Sequence, residues 1–320
     1  MGCIMSITKL IKRLVLKDKE YIIQKKYYSR FEQYSFIDLK CKDEKQFEAS
    51  ITRWYHTIEK GLSYINFKTG FGKDNIRILL KEMEEYSKKY DISSFFYQTA
   101  LSVLFEYVRK NKEYGYENKE LEDRINKLPG MDNHCGGAIT FIVEEPKEMN
   151  YEEFVKSRHS IRHFSDTPLD IDLTMNSIAL AQYTPSACNR QGWKCYIVQD
   201  RTKIKQLLEN QNGNSGFGQE FDKLIVVTGD LRAFNHDREV FQVYIDGGMY
   251  AMRVLDSLYY HKIGACPLSA SLTPIQEDNA RSILNINPAE VFIMYIGIGN
   301  YPELCQTTKS ERHKPNIDII

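Results

Sequence analysis

Apolar residues recur every three or four positions through the first 130 residues, which is the spacing of amphipathic helices. The recurrence predicts helices over residues 43–60, 73–90, 93–111 and 116–127. No segment among them alternates apolar and polar residues as a half-buried strand would. We therefore expect residues 1–130 to form a helical N-terminal domain.

From residue 129 the pattern changes to short apolar runs separated by glycine and proline. Residues 131–148 hold one short apolar strand, AITFIV, between turn signals, and we interpret them as a linker. Helices are predicted beyond it over residues 150–157, 170–184, 201–210 and 238–261. Short β-branched runs predict strands at residues 194–199, 223–229, 263–268 and 291–299. Residues 149–320 therefore read as a second domain that contains a sheet.

The helix predicted at residues 238–261 is apolar around much of its circumference. Its apolar residues include Val240, Phe241, Val243, Tyr244, Ile245, Met249, Met252, Val254, Leu255 and Leu258. A helix that is apolar on more than one face is buried on more than one face. Gly247 and Gly248 would allow a close approach, so we expect this helix at the centre of the domain or at a subunit interface.

Composition excludes several classes of protein. Lys+Arg and Asp+Glu both number 43, so the chain lacks the net positive charge typical of nucleic-acid binders. The 7 cysteines are scattered without a C-x-x-C pair, which favours a reduced, cytoplasmic protein without a zinc knuckle. No other spacing of His, Cys, Asp or Glu indicates a metal site.

The N-terminus raises the question of membrane attachment. No run of 18 apolar residues occurs, so we expect no spanning segment. MGCIMS fits the myristoylation pattern, with Gly2 as the acceptor and Cys3 as a second acyl site. The alternative is that the following SITKLIKRLVLK is a basic amphipathic helix that docks on its own protein, and we expect no membrane partner.

The segment SRHSIRHF concentrates basic and hydroxyl side chains. Arg158, Ser160 and Arg162 are two residues apart, so an extended backbone would direct all three to one side. Two guanidinium forks and a hydroxyl suit a phosphate or another dianion. The alternative interpretation is a solvated basic turn.

A second polar segment, YTPSACNRQGW, follows a predicted helix and precedes a predicted strand. It offers a turn former and small hydrogen-bonding side chains at Pro185, Ser186, Asn189 and Gln191. Such a loop can present amides and hydroxyls to a planar polar ligand. The alternative is an ordinary helix-to-strand turn.

These two segments, in this order, resemble the nitroreductase family of FMN-dependent oxidoreductases. DGGMYAMRVLDSLYYHKIGACPL (246–268) resembles the family's central helix and following strand, and KSERHKP (309–315) resembles its C-terminal basic motif. The resemblance covers roughly residues 150–315. It implies an α+β fold with a central, mostly antiparallel sheet flanked by helices, here preceded by the all-α N-terminal domain.

The resemblance also implies a set of cofactor-binding residues. Arg158, Ser160 and Arg162 would hold the phosphate and ribityl of FMN, with Arg162 also reaching the N1–O2 edge of the flavin, and Arg312 would be a second phosphate ligand. Ser186 and Asn189 would line the isoalloxazine, Gln219 is the candidate for its pyrimidine edge, and the backbone around Pro267–Ser269, which includes Leu268, would donate to flavin N5. The other cofactor-binding residues would be His159, Pro185 and Gln191. The chain departs from the family pattern at Gly192, which replaces a proline, and at Glu311, an acidic neighbour of Arg312.

The implied activity is hydride transfer through flavin N5, from NADH, NADPH or an organic donor to a small organic acceptor. The flavin carries the chemistry, so no catalytic acid or base is demanded. Family members are usually homodimers with FMN at the interface. One implied setting is surface-polysaccharide metabolism. The alternative is a flavin-binding protein without turnover, whose helical half is an interaction module.

The helical half has one segment of special interest, RWYHTIEKGLSY (53–64). Its simplest interpretation is a helix that ends at Gly61. Its polar and aromatic side chains, Trp54, Tyr55, His56, Glu59 and Lys60, also suit a cover over the flavin, followed by the glycine-containing FKTGFGK.

Overall fold

The computed structural model describes residue 25 and residues 43–234 and 239–320. The predicted N-terminal amphipathic helix and the acylation pattern at Gly2 and Cys3 lie outside the described residues. Within the described residues, no helix is both long and apolar enough to cross a membrane.

Among the described residues, four helices precede the first strand: α1 (Glu44–Leu62), α2 (Lys73–Tyr86), α3 (Phe95–Glu113) and α4 (Lys119–Asn126). Each matches a predicted helix. Helix α1 begins with a capping box, in which Asp43 and Gln46 satisfy each other's backbone N–H groups. Helix α2 ends four residues earlier than predicted, because Ser87 caps it and residues 87–90 form a turn.

The four helices share a hydrophobic core of their own. Its buried side chains come from all of them and from the turn after α4. They include Phe47, Ile51, Ile58, Leu62, Leu79, Leu80, Met83, Tyr86, Tyr97, Leu101, Leu104 and Ile125. The helical N-terminal region that the apolar periodicity predicted is therefore confirmed for the described residues.

The rest of the chain combines six strands with five helices among the described residues. The strands are β1 (Ala138–Phe141), β2 (Trp193–Val198), β3 (Lys223–Asp230), β4 (Gly264–Ser269), β5 (Glu290–Gly299) and β6 (Cys305–Thr308). The helices are α5 (Tyr151–Ser157), α6 (Ile171–Ala181), α7 (Arg201–Asn210), α8 (Gln242–Tyr260) and α9 (Pro274–Leu284).

The main sheet has the strand order β2-β3-β5-β4, and every pair in it is antiparallel. Successive side chains of β3 enter different cores, as the two-residue period of a strand requires. Ile225 and Val227 pack with α6 and α8, whereas Leu224 and Val226 pack with α7 and α9. The predicted α+β fold, with an antiparallel sheet flanked by helices, is confirmed.

A second, two-stranded sheet joins the region before α5 to the end of the chain. Strand β1 lies within residues 131–148 and pairs antiparallel with β6, Ala138 opposite Thr308 and Phe141 opposite Cys305. Helix α1 packs against both strands. Strand β6 was not predicted, because its sequence, CQTT, lacks an apolar run and its pairing depends on a distant partner.

Helix α8 has one buried face and one exposed apolar face. Val243, Tyr250 and Val254 are buried against the sheet. A Cβ at Gly247 would lie 2.8 Å from Ile293 Cγ1, so glycine permits the close approach of helix and strand. The opposite face exposes Tyr244, Ile245, Met249 and Met252 in the single chain.

Candidate functional site

A cavity of about 290 Å³ lies where three distant segments meet. The segments are α1, the extended stretch after α5, and the residues that follow β6. The lining residues are Thr52, Tyr55, His56, Glu59, Arg158, His159, Ser160, Arg162, Thr308, Ser310, Glu311 and Arg312. The structure thus brings together five residues predicted to bind the cofactor, Arg158, His159, Ser160, Arg162 and Arg312.

Backbone hydrogen bonds fix the segment that carries two of the arginines. Helix α5 ends at Ser157, and Arg158 takes an extended conformation with φ −67° and ψ 121°. Ile161 N–H donates to Ala265 O of β4 at 2.9 Å, and Thr307 Oγ1 of β6 donates to Ser160 O at 2.9 Å. Because Ile161 is fully buried, the segment is anchored between both sheets and its polar side chains meet the cavity.

The guanidinium of Arg162 is buried without full hydrogen bonding. Arg162 is only 5% exposed, and its Nε has no hydrogen-bond partner among the described residues. Nη1 donates a long bond of 3.4 Å to Ser160 O, and the guanidinium lies 5.9 Å from the centre of the Phe217 ring. Burying a charged donor without a partner costs free energy, so this group indicates an anionic ligand.

Arg158 adds a second cation to the same cavity. Burial lowers the pKa of its guanidinium, and Arg312 acts in the same direction, while Asp256 opposes them. Guanidinium groups stay protonated in proteins even so. Burial, Arg158 and Arg312 also lower the pKa of His159, which favours its neutral form.

Helix α1 supplies the opposite wall. Thr52, Tyr55, His56 and Glu59 are spaced so that they share one face of the helix. Glu59 is fully buried, and its carboxylate contacts His56 Nδ1 at 3.0 Å and accepts from Gly137 N–H at 3.1 Å. Burial raises the pKa of Tyr55 to about 12, so its phenol is neutral and can donate a hydrogen bond.

The predicted residues of the second polar segment do not line this cavity. They form a turn after α6 that is closed by its own hydrogen bonds, with Ser186 Oγ accepting from Gln191 N–H at 2.9 Å. Gln191 Nε2 donates to Asn189 Oδ1 at 3.0 Å, and both residues have positive φ. The N–H of Ala187 donates to Asp246 of α8 at 3.1 Å, which ties the turn, including Pro185, to that helix.

The remaining predicted residues lie in two other places. Pro267, Leu268 and Ser269 end strand β4, where Ser269 O accepts from Gln211 Nε2 at 2.8 Å. Gln219 lies on a short 3-10 helix and lines a separate cavity of about 420 Å³. None of these residues lines the arginine cavity within a single chain.

Sequence reasoning missed three hydroxyl residues of the cavity. Thr52 looked like an ordinary helix residue, and Thr308 and Ser310 flank a lysine in a segment read only for its basic motif. The hydroxyls of Thr308 and Ser310 lie 2.6 Å apart. These two residues reach the cavity because β6 pairs with β1, and no local sequence pattern predicts that pairing.

Further contacts connect the α1–α2 loop to the main sheet domain. Tyr64 OH donates to Ser215 O at 2.9 Å, and Ile65 N–H donates to His163 Nε2 at 3.2 Å. His163 is buried, and its Nδ1 lies 3.0 Å from Glu220 Oε2. The two regions are thus joined by hydrogen bonds, one of them at His163, the residue after Arg162.

Comparison with known proteins identifies part of this region. The model of the nitroreductase family matches residues 155–214, which include Arg158, Ser160 and Arg162. These residues form a nitroreductase-family segment. The match includes the turn after α6 and excludes the helical half of the chain.

Individual relatives match parts of the chain. Chloronitrobenzene nitroreductase of Comamonas testosteroni is 34% identical over 47 residues, which are 15% of this chain and 21% of that protein. Iodotyrosine deiodinase of Haliscomenobacter hydrossis is 28% identical over 101 residues, 29% of this chain and 44% of that protein. The chain thus spans less than half the length of these curated relatives.

Solved structures also resemble the chain. The FMN-dependent nitroreductase of Clostridium difficile R20291 is 19% identical, with a TM-score of 0.41 over 52% of this chain and 92% of that one. The nitroreductase family protein of Clostridium novyi NT is 19% identical, with a TM-score of 0.43 over 48% of this chain and 87% of that one.

Proposed function

We propose that the chain is an FMN-dependent oxidoreductase that transfers hydride from a reduced nicotinamide, NADH or NADPH, or from an organic donor to a small organic acceptor. The observation that carries the proposal is the buried Arg162 guanidinium, whose Nε has no partner among the described residues, inside a cavity that the nitroreductase-family segment helps to line. A buried cation without a counter-charge is costly in the free protein and favourable when an anion binds.

The cavity suits the phosphate monoester of FMN. A phosphate presents several acceptor oxygens and close to two negative charges at neutral pH. Arg158 and Arg162 offer planar donor forks, Ser160 and Ser310 offer hydroxyls, and Arg312 adds an exposed cation at the rim. A cavity of about 290 Å³ accommodates a phosphate and part of the ribityl chain, and the flavin rings would lie outside it.

FMN bound in this way supplies the hydride chemistry at flavin N5, so the protein's task is binding, orientation and electrostatics. Arg158, Ser160 and Arg162 would hold the phosphate end, and Arg162 would also supply positive charge toward the flavin's N1–O2 edge. The backbone around Pro267–Ser269, at the end of β4, would donate to N5. Because Arg162 is anchored next to β4 through the Ile161–Ala265 hydrogen bond, both contributions come from one rigid unit.

A homodimer would complete the site. The turn with Pro185, Ser186, Asn189 and Gln191 lies apart from the arginine cavity of its own chain. It is attached to α8 through Asp246, and α8 exposes an apolar face that soluble proteins usually cover. Pairing of two copies through α8 would carry each turn toward the FMN of the other copy.

The proposal is tested by cofactor analysis followed by turnover. The purified protein should be yellow, release FMN rather than FAD on denaturation, and oxidise NADH or NADPH in the presence of a quinone or nitroaromatic. Stoichiometric FMN without oxidation of either nicotinamide would favour the alternative, a flavin-binding protein without turnover. A protein that takes up no FMN would rule out the assignment.

Substitution of the cavity cations makes the test residue-specific. Arg158→Ala removes a charge-assisted hydrogen bond worth roughly 1.5–3 kcal/mol, so FMN affinity should fall about ten- to a hundredfold. The matched control is Arg77→Ala, which removes an exposed arginine of α2 that pairs with Asp74. Equal FMN affinity in both variants would mean that the cluster does not bind the phosphate.

A further inference from the structure

Helix α1 belongs to the half of the chain that the family model does not match, yet it forms a wall of the arginine cavity. Its contribution is polar. Three of its four lining residues, Thr52, Tyr55 and His56, carry hydrogen-bonding groups at the cavity, and the fourth, Glu59, is fully buried behind it. A wall that served only to exclude water would be expected to present apolar side chains.

The carboxylate of Glu59 is placed to fix the orientation of the His56 imidazole. Nδ1 lies 3.0 Å from Glu59 Oε2, and the second carboxylate oxygen is fixed by the N–H of Gly137. The carboxylate therefore accepts from Nδ1–H and sets the orientation of the ring. Nε2 has no hydrogen-bond partner within the described part of the chain, and the His56 side chain is 35% exposed.

The positive and negative charges of the side chains that line the cavity do not balance. Three guanidinium groups and two carboxylates line the cavity, which leaves a surplus of one positive charge. A phosphate monoester would supply negative charge against that surplus.

We propose that His56 is a direct ligand of the flavin phosphate, donated by the helical half of the chain, and that Glu59 is its positioning residue. The inference rests on the proposed function, because it takes the anion of the cavity to be the phosphate of FMN. It assigns the helical half a part in cofactor binding that the nitroreductase-family segment alone does not have.

The test compares FMN with riboflavin, which has the same rings and ribityl chain but no phosphate. FMN and riboflavin affinities are measured by flavin fluorescence for the wild type, His56→Ala, His56→Gln and Glu59→Gln. The control is Arg53→Ala, which removes a positive charge from the outer, exposed face of the same helix. Far-UV circular dichroism confirms that each variant is folded.

His56→Ala should lower FMN affinity about tenfold, the effect of losing one charge-assisted hydrogen bond, and leave riboflavin affinity unchanged. Glu59→Gln should weaken FMN binding in the same selective way, and His56→Gln should recover part of the loss through its amide donor. Arg53→Ala should bind both flavins as the wild type does.

Two results would overturn the inference. One is FMN affinity in His56→Ala equal to that of the wild type, and the other is an equal loss of FMN and riboflavin, which a structural defect would produce. Both differ from failure of the proposed function, in which the wild type itself would bind no FMN.

Discussion

The carboxylate of Glu59 accepts a hydrogen bond from the backbone N–H of Gly137 at 3.1 Å, and this contact joins helix α1 to the residue directly before strand β1. Gly137 has φ 120°, and a Cβ there would lie 3.0 Å from Glu106 Cγ, so the position requires glycine. Because β1 pairs with β6, the same contact links α1 to the segment that carries Ser310 and Arg312. One buried carboxylate therefore connects two of the three segments that line the cavity.

Glu59→Gln should destabilise the protein. A glutamine can satisfy either Gly137 N–H or Nδ1–H of His56 with its single carbonyl oxygen, and its amide N–H₂ then faces another donor. We expect a loss of about 1–3 kcal/mol in the free energy of unfolding, measured by urea denaturation. Asp74→Asn is the control, because Asp74 forms an exposed ion pair with Arg77 worth less than about 1 kcal/mol. Equal stability of the two variants would contradict the role given to Glu59.

Arg162→Met should separate stability from binding. Without FMN, the free energy of unfolding of the variant should equal or exceed that of the wild type, because methionine removes a buried charge with an unpartnered Nε. FMN at a hundred times its dissociation constant should stabilise the wild type by about 2.7 kcal/mol, and the variant much less.

Thermal unfolding with and without FMN measures both effects of Arg162→Met. The control is Arg124→Met, since Arg124 donates to Glu84 at 2.7 Å and its loss should lower stability slightly without altering the response to FMN. A strongly destabilised Arg162→Met protein would show that the guanidinium serves the fold.

His159 should make stability depend on pH. Burial, with Arg158 and Arg312, lowers the pKa of His159 below its ordinary value of 6.5. Between the two values the unfolded chain holds the proton and the folded chain does not, so the free energy of unfolding rises with pH there. Stability is thus lost as pH falls below about 6.5, where the unfolded histidine becomes protonated.

His159→Gln should remove that part of the pH dependence. Urea denaturation of wild type and variant between about pH 5 and 7.5 would give the two slopes, and the variant should have the shallower one in the acid half of the range. Parallel slopes would mean that His159 takes up its proton equally well in both states.

Most of the fold could be predicted because its signals are local. The apolar run of β3 and the amphipathic period of α2 depend on neighbours in sequence, and the predicted bounds of α7 coincide with those observed. The cluster of Arg158, Ser160 and Arg162 was likewise visible, since an extended backbone places alternate residues together.

The α1 wall could be predicted only in part, because it depends on contacts between residues far apart in the chain. Glu59 and Gly137 are separated by 78 positions, and no periodicity in either segment records the hydrogen bond between them. Strand β6 is polar and becomes a strand through β1. For the same reason, spacing along the sequence does not predict how far the turn at Ser186 lies from the arginine cavity.

The exposed face of α8 should make the protein a dimer in dilute solution. Ile245 is 53% exposed beside Tyr244, Met249 and Met252, and a charge introduced there would oppose burial of this face. Ile245→Glu should be monomeric by sedimentation velocity and should bind FMN more weakly, since the turn of the second copy is lost. Ile275→Glu is the control, with a 74% exposed isoleucine on α9. A wild-type monomer with stoichiometric FMN would contradict the prediction.

The last prediction concerns acceptor choice, which we expect the helical half to restrict. Tyr64 holds the α1–α2 loop against the sheet domain, because its hydroxyl donates to Ser215 O and its ring packs 5.7 Å from His163 and 6.3 Å from Phe217. Phe217 also lies under Arg162, so the loop is adjacent to the proposed flavin site. Reduced flavins that are open to solvent react with oxygen and stray acceptors, and a cover prevents this.

Tyr64→Ala should therefore broaden the range of acceptors, with faster oxygen consumption and a lower KM for bulky quinones, while Tyr64→Phe should retain the ring packing and most of the wild-type selectivity. Steady-state oxidation of the nicotinamide with small and bulky acceptors gives the comparison. Tyr114→Ala is the control, since Tyr114 is 57% exposed and packs within the helical half, 5.0 Å from Phe67. If Tyr64→Ala kept wild-type kinetics with every acceptor and with oxygen, the helical half would be a docked module with no part in acceptor choice, because the contact that holds its loop beside Arg162 would have been removed without effect.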